Sequence, residues 1–98
     1  MNIRILHLAI QDIESGQQFY EQQQEGLGVY FLDSLFSDID SLLLYAGVHP
    51  QFFGYYRSLS KRFPYAIYYR LSENTIDIWR VLDCRQNPTV INKSLKQT

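Results

Sequence analysis

Six cationic side chains, Arg57, Lys61, Arg62, Arg70, Arg80 and Arg85, lie within the stretch Arg57–Pro88, RSLSKRFPYAIYYRLSENTIDIWRVLDCRQNP, interleaved with aromatic and β-branched residues. Guanidinium and ammonium groups spaced in this way can stabilise charge on a phosphate or grip an acidic partner. The residues between them are strand formers that would hold them in fixed rows. Tyr55, Tyr56, Tyr68 and Tyr69 add hydroxyls and ring faces, but tyrosines at alternating strand positions read first as packing residues. Competing chemistries are poorly served. One cysteine, Cys84, and two histidines, His7 and His49, give neither a disulfide nor a metal-ligand spacing. No Gly-x-Ser-x-Gly is present, and Gly26-x-Gly28 is too short for a dinucleotide fingerprint and follows a helical pattern. No cofactor or metal is expected, and no catalytic residue is assigned.

The elements that would position these cations follow from periodicity. Ile3 to Leu8 is apolar enough for a first strand. Ile10, Ile13, Phe19 and Tyr20 then recur among polar residues as in an amphipathic helix, weakened by Gly16 and ending near Gln22-Gln23-Gln24. After the Gly26-Leu27-Gly28 joint, Leu27, Phe31, Leu35, Ile39, Leu42 and Ala46 form the clearest helical stripe, with Asp33, Ser34, Ser37, Asp38 and Ser41 on the opposite, solvated face. Gly47 and Pro50 end it. Tyr65–Leu71 and Thr75–Leu82, joined by Ser72-Glu73-Asn74, read as a β-hairpin, preceded by a strand that carries Arg57. The expected fold class is therefore α+β, a helical hairpin packed on one face of an antiparallel sheet in the order β-α-α-β-β-β. At 98 residues and 46% apolar content the chain suits one domain, with a polar, frayed tail over residues 89–98.

Alternation assigns faces. Tyr65, Ile67, Tyr69 and Leu71 should face the helices, leaving Ala66, Tyr68 and Arg70 on the open side, while Arg57 and Lys61 share a side with Leu59. In the last strand both parities are mixed, which marks a central strand, and Arg80 fits an internal ion pair as well as a ligand contact. Net charge of −1 conceals a division: residues 1–54 hold Arg4 against seven carboxylates, and residues 55–98 hold eight cations against Glu73, Asp77 and Asp83. Such a basic half attracts anionic partners. The longest apolar run, Leu42 to Val48, is far below the roughly 20 residues of a membrane span. Without a signal-peptide pattern near Met1, a cytoplasmic location is expected.

Two runs carry a family resemblance. Arg62–Arg70, RFPYAIYYR, and Val81–Pro88, VLDCRQNP, resemble the C-terminal half of the RelE/ParE superfamily of toxins from type II toxin-antitoxin systems, in particular its plasmid stabilisation members. Tyr20–Asp40, YEQQQEGLGVYFLDSLFSDID, is similar to the helical part of that superfamily, so the resemblance extends to Pro88. It implies a growth-inhibiting toxin held in a hetero-oligomer by a cognate antitoxin, with Arg57, Lys61, Arg62, Arg70, Arg80 and Arg85 meeting antitoxin or target. Two activities occur in the superfamily: binding of DNA gyrase, and cleavage of mRNA on the ribosome. Leu59, Ala66 and Gln86 stand where the nuclease branch usually has cations. The resemblance thus implies the ParE-like, non-enzymatic branch, with a ribosome-dependent endoribonuclease as the alternative.

Overall fold

A computed structural model describes residues 1–97 of the chain. Strand β1 (Asn2–Ile5) leads into helix α1 (His7–Gln23), which is followed by α2 (Leu27–Asp40) and the short α3 (Leu42–Tyr45). The sheet then continues through β2 (Gln51–Phe52), β3 (Tyr55–Leu59), β4 (Tyr65–Leu71) and β5 (Thr75–Asp83), and α4 (Pro88–Lys96) closes the chain. Spatial order is β1-β5-β4-β3-β2. The α+β expectation holds, with the helical hairpin on one face and antiparallel pairing from β2 to β5. One pairing departs from it: β1 runs parallel to β5, because the helical excursion brings the chain back to the end of the sheet where β1 finished, and the antiparallel run β2 to β5 then leaves β5 pointing the same way as β1.

Packing bears out the α2 stripe but not the whole of the α1 one, where Ile10 and Phe19 stay 45% and 48% exposed and Ala9, Ile13 and Gly16 form the buried face. Phe31, Leu35, Ile39 and Leu42 are buried against Ile67, Tyr69, Ile76, Ile78 and Val81, which form the core between helices and sheet. Each such side chain contributes about 1.5–3 kcal/mol when fully buried. Gly16, which reads as a weak point in α1, is where the two helices meet. A Cβ there would sit 2.5 Å from Phe31 Cζ. The long helical stripe is interrupted at Ser41, whose hydroxyl donates to Asp38 O at 2.6 Å and diverts the backbone between α2 and α3. Ser34 and Asp38, expected in water, are buried, and Asp38 accepts a 2.6 Å hydrogen bond from Ser60 Oγ.

The second correction concerns the tail. Where a frayed end is expected, residues 88–96 form α4, started by Asn87, whose side chain accepts from the Thr89 N–H at 2.8 Å, with Pro88 in the first turn. Its Ile91 and Leu95 bury on Tyr55, Ala66, Tyr68 and Leu82, making a second core on the face opposite the helical hairpin, so Ala66 and Tyr68, expected on the open side, are covered and only Arg70 of that trio is exposed. A bulge in β5 resolves the mixed parity. Pairing shifts so that Tyr68 faces Arg80 but Tyr69 faces Ile78, leaving Trp79 as the extra residue. Ile76, Ile78 and Val81 thereby all join the helix-side core, although the first two and the third have opposite parity.

Candidate functional site

The α4 side of the sheet is where the cations meet aromatic rings. Tyr55 and Arg57 on β3, Tyr68 and Arg70 on β4, and Trp79 and Arg80 on β5 project to this side because the register places Arg57 opposite Tyr68 and Tyr68 opposite Arg80. Arg57 lies with its guanidinium carbon 3.8 Å from the centre of the Phe52 ring. Arg70 lies 4.2 Å from Tyr55 and 5.5 Å from Trp79, measured in the same way. Such stacking holds a cation in place without neutralising it. Arg57 Nε is buried with no hydrogen-bond partner among the described residues.

The other four cations divide into two kinds. Lys61 and Arg62 are exposed in the β3–β4 turn, where the next residue, Phe63, packs inward on Tyr20 and Phe31, with ring centres 4.8 and 5.0 Å away. Arg85 lies at the same end of the sheet, where the Cys84 N–H donates to Pro64 O at 2.9 Å. It is not free: Nε and Nη2 donate to the two oxygens of Asp83 at 3.0 and 2.7 Å. Those hydrogen bonds hold the Asp83 carboxyl below its ordinary value of 3.8 and raise the guanidinium.

Arg80 is the most constrained. It is 8% exposed, and it donates to both oxygens of Asp12 on α1 at 2.7 and 2.8 Å. Asp12 also accepts the Val81 N–H at 3.0 Å, on the edge of β5 beyond the end of β1. The remaining Arg80 nitrogen donates to Ser94 O at 2.7 Å and Gln97 Oε1 at 3.1 Å. Trp79 Nε1 and the Tyr55 hydroxyl donate to Leu95 O at 3.0 and 3.4 Å. Carbonyls left open at the end of a helix need such donors, and a cation there is favoured by the helix dipole. Of the two roles open to Arg80, the structure shows the internal ion pair.

Among the described residues, then, Arg57, Lys61, Arg62 and Arg70 carry no salt bridge, whereas Arg80 and Arg85 do. The structure brings Arg57 and Arg70 to one face and Lys61, Arg62 and Arg85 to one end, and it turns Arg80 inward. Burial raises three of the tyrosines, Tyr65, Tyr68 and Tyr69. Burial pushes the Tyr65 phenol up to about 12. Tyr68 is also raised by burial, with partial relief from Arg57, and at 1% exposure its side chain is sealed beneath the face. No group of His, Cys, Asp and Glu among the described residues is arranged to hold a metal, and no helix there is long and apolar enough to cross a membrane.

A solved structure of the chromosomal ParDE toxin-antitoxin system from P. aeruginosa contains a chain that superposes on this one with a TM-score of 0.71. The fold is shared. The match covers 83% of this chain and 92% of that chain at 16% sequence identity. No protein-family model and no curated protein matches the sequence. What sequence reasoning missed at the site is α4 and the three donors that dock its end. Asn87-Pro88 followed by Ile91 and Leu95 at a four-residue spacing is the signal that marks this helix.

Proposed function

We propose that the chain is a ParE-like toxin of a type II toxin-antitoxin module, acting by binding a cellular target and neutralised by a cognate antitoxin. The observation that carries this reading is the likeness in fold, over 83% of this chain and 92% of the other, to a chain of the ParDE system. The α4 side of the sheet and its turn end form the contact surface. Arg57, Lys61, Arg62 and Arg70 supply charge there, Arg85 joins them at the end of β5, and Phe52, Phe53 and Leu59 supply exposed apolar area. Arg80 contributes from within, by fixing α4 to the sheet. A bound antitoxin segment would bury apolar residues on this surface and place acidic groups beside the cations.

A binding mode is favoured over nuclease chemistry by the state of the tyrosines and arginines. Cleavage through a 2′-hydroxyl needs charge stabilisation and proton transfer at both oxygens. Tyr65 and Tyr68 have raised phenols, and Arg80 and Arg85 already hold carboxylates. DNA gyrase is the proposed target. Induced expression in bacteria should arrest growth, and co-expression of the small protein encoded beside the gene should relieve the arrest. Purified chain should inhibit supercoiling by gyrase. Discrete breaks in transcripts after induction, with gyrase unaffected, would transfer the reading to the ribosome-dependent endoribonuclease, and unimpeded growth at full expression would remove the toxin reading.

A further inference from the structure

The end of the α4 face furthest from Arg85 holds a cleft of about 330 Å³ lined by Phe53, Tyr55, Arg70, Trp79, Leu95 and Lys96. Three observations single it out. First, Arg70 lacks a partner for a specific reason. Its cross-strand neighbour on β5 is Asp77, but both oxygens of Asp77 are taken by Arg4 on β1, each at 3.0 Å. The Arg70 fork therefore stacks on Tyr55 and Trp79 and makes no hydrogen bond among the described residues. Second, Phe53 sits at the mouth in a left-handed conformation, φ 56°, followed by Gly54 at φ 86° in the two-residue turn between β2 and β3. That turn favours Asn or Asp at its first position, and a bulky residue held there marks local strain of the kind that accumulates at binding sites. Its ring remains 48% exposed. Third, the helix end beside the cleft is the C-terminus of α4, so the dipole there is negative. That field opposes every anion, and a dianionic phosphate about twice as strongly as a singly charged carboxylate, so of the two groups a guanidinium grips bidentately the carboxylate is the less opposed.

We propose that this cleft binds an acidic peptide segment, seating one Asp or Glu carboxylate on Arg70 and the adjacent apolar side chain against Phe53 and Leu95. Lys96 stands at the rim to attract the segment, and the Asn92 amide, which also lines the cleft, is placed for its backbone. The site deepens the contact surface proposed above and rests on it; the peptide titration reads the cleft alone, so its failure is distinct from a failure of the growth-arrest test.

Trp79 is the single tryptophan and lines the cleft, so its emission reports occupancy. The test titrates purified chain with an array of capped tetrapeptides pairing Asp or Glu with each apolar residue, beside the same array in Asn and Gln form and beside AMP. Acidic members should shift Trp79 emission saturably, while amide members and AMP should not. Arg70→Gln should weaken binding about tenfold or more, the loss expected of a charge-assisted pair, and Arg70→Lys should restore only part of it. Both variants lie at an exposed position, and their circular dichroism should match the parent. Equal binding of acidic and amide peptides, saturation by AMP alone, no response to any peptide at millimolar concentration, or undiminished affinity in Arg70→Gln would each overturn the proposal.

Discussion

At the scale of single residues, the six cations share a charge and little else. Arg80 is structural: it joins α1, β5 and the end of α4 through four donated hydrogen bonds, to Asp12, Ser94 and Gln97. Removing one partner of such a mostly buried pair leaves an uncompensated charge, so Arg80→Ala should destabilise the chain by about 3–5 kcal/mol in urea unfolding. The double variant with Asp12→Ala should be scarcely worse than either single one. Asp83 tests the opposite, exposed kind of pair. Its folded carboxyl lies below its ordinary 3.8, so the stabilisation is complete above that value and is lost as pH falls through the lower folded one. Asp83→Asn should flatten the acid limb of a plot of Tm against pH and leave the neutral region nearly unchanged. A third expectation concerns Arg4, which keeps Asp77 away from Arg70. Arg4→Gln should release Asp77 toward Arg70 and lower acidic-peptide affinity in the Trp79 titration, although Arg4 lies outside the cleft.

Among the elements, the α1–α2 crossing shows how a residue that weakens a helix in isolation can be required by packing. Gly16→Ala improves helix propensity by about 1 kcal/mol. It also drives a Cβ to 2.5 Å from the fully buried Phe31 ring. Overpacking of this kind costs about 1–3 kcal/mol, and a net loss of stability in chemical denaturation is the expected result. Leu95→Ala should cost about 2–5 kcal/mol, because Leu95 plugs the second core at 1% exposure. The sequence made the existence of the two long helices, the β4–β5 hairpin and the helix-facing side of β4 legible, since apolar residues recur there at one period, although that period alone did not show the break at Ser41. It did not reveal the parallel partner of β1, which depends on pairing across 73 residues between Arg4 and Asp77. Nor could parity assign β5, because the bulge at Trp79 changes the period partway along the strand. Of the site, strand alternation exposed Arg70 correctly. The pairings of Arg80 and Arg85 were hidden for different reasons: Asp12 is remote in sequence, and the Asp83 contact depends on the turn after β5.

For the whole molecule, the division of charge along the chain becomes a division between layers. The carboxylates of residues 1–54 belong largely to α1 and α2, while the cations without a salt bridge among the described residues lie on β3, β4, their turn and α4. An acidic partner is thus drawn to the sheet and repelled from the helical hairpin. Lys61→Glu combined with Arg62→Glu should slow association with an acidic partner by about tenfold at low salt, with the difference shrinking as ionic strength rises, because exposed charges steer encounter more than they hold the complex. Kinetic traces at two salt concentrations would show it; rates that match the parent would remove these two side chains from the contact surface. The parallel pair has a consequence in time. β1 is synthesised first, yet its only neighbour in the sheet is β5, beginning at Thr75. During biosynthesis β1 therefore waits, edge bare, while residues 6–74 are threaded out behind it. Neither sheet nor second core can be completed early, so a product truncated before β5 has no route to this fold.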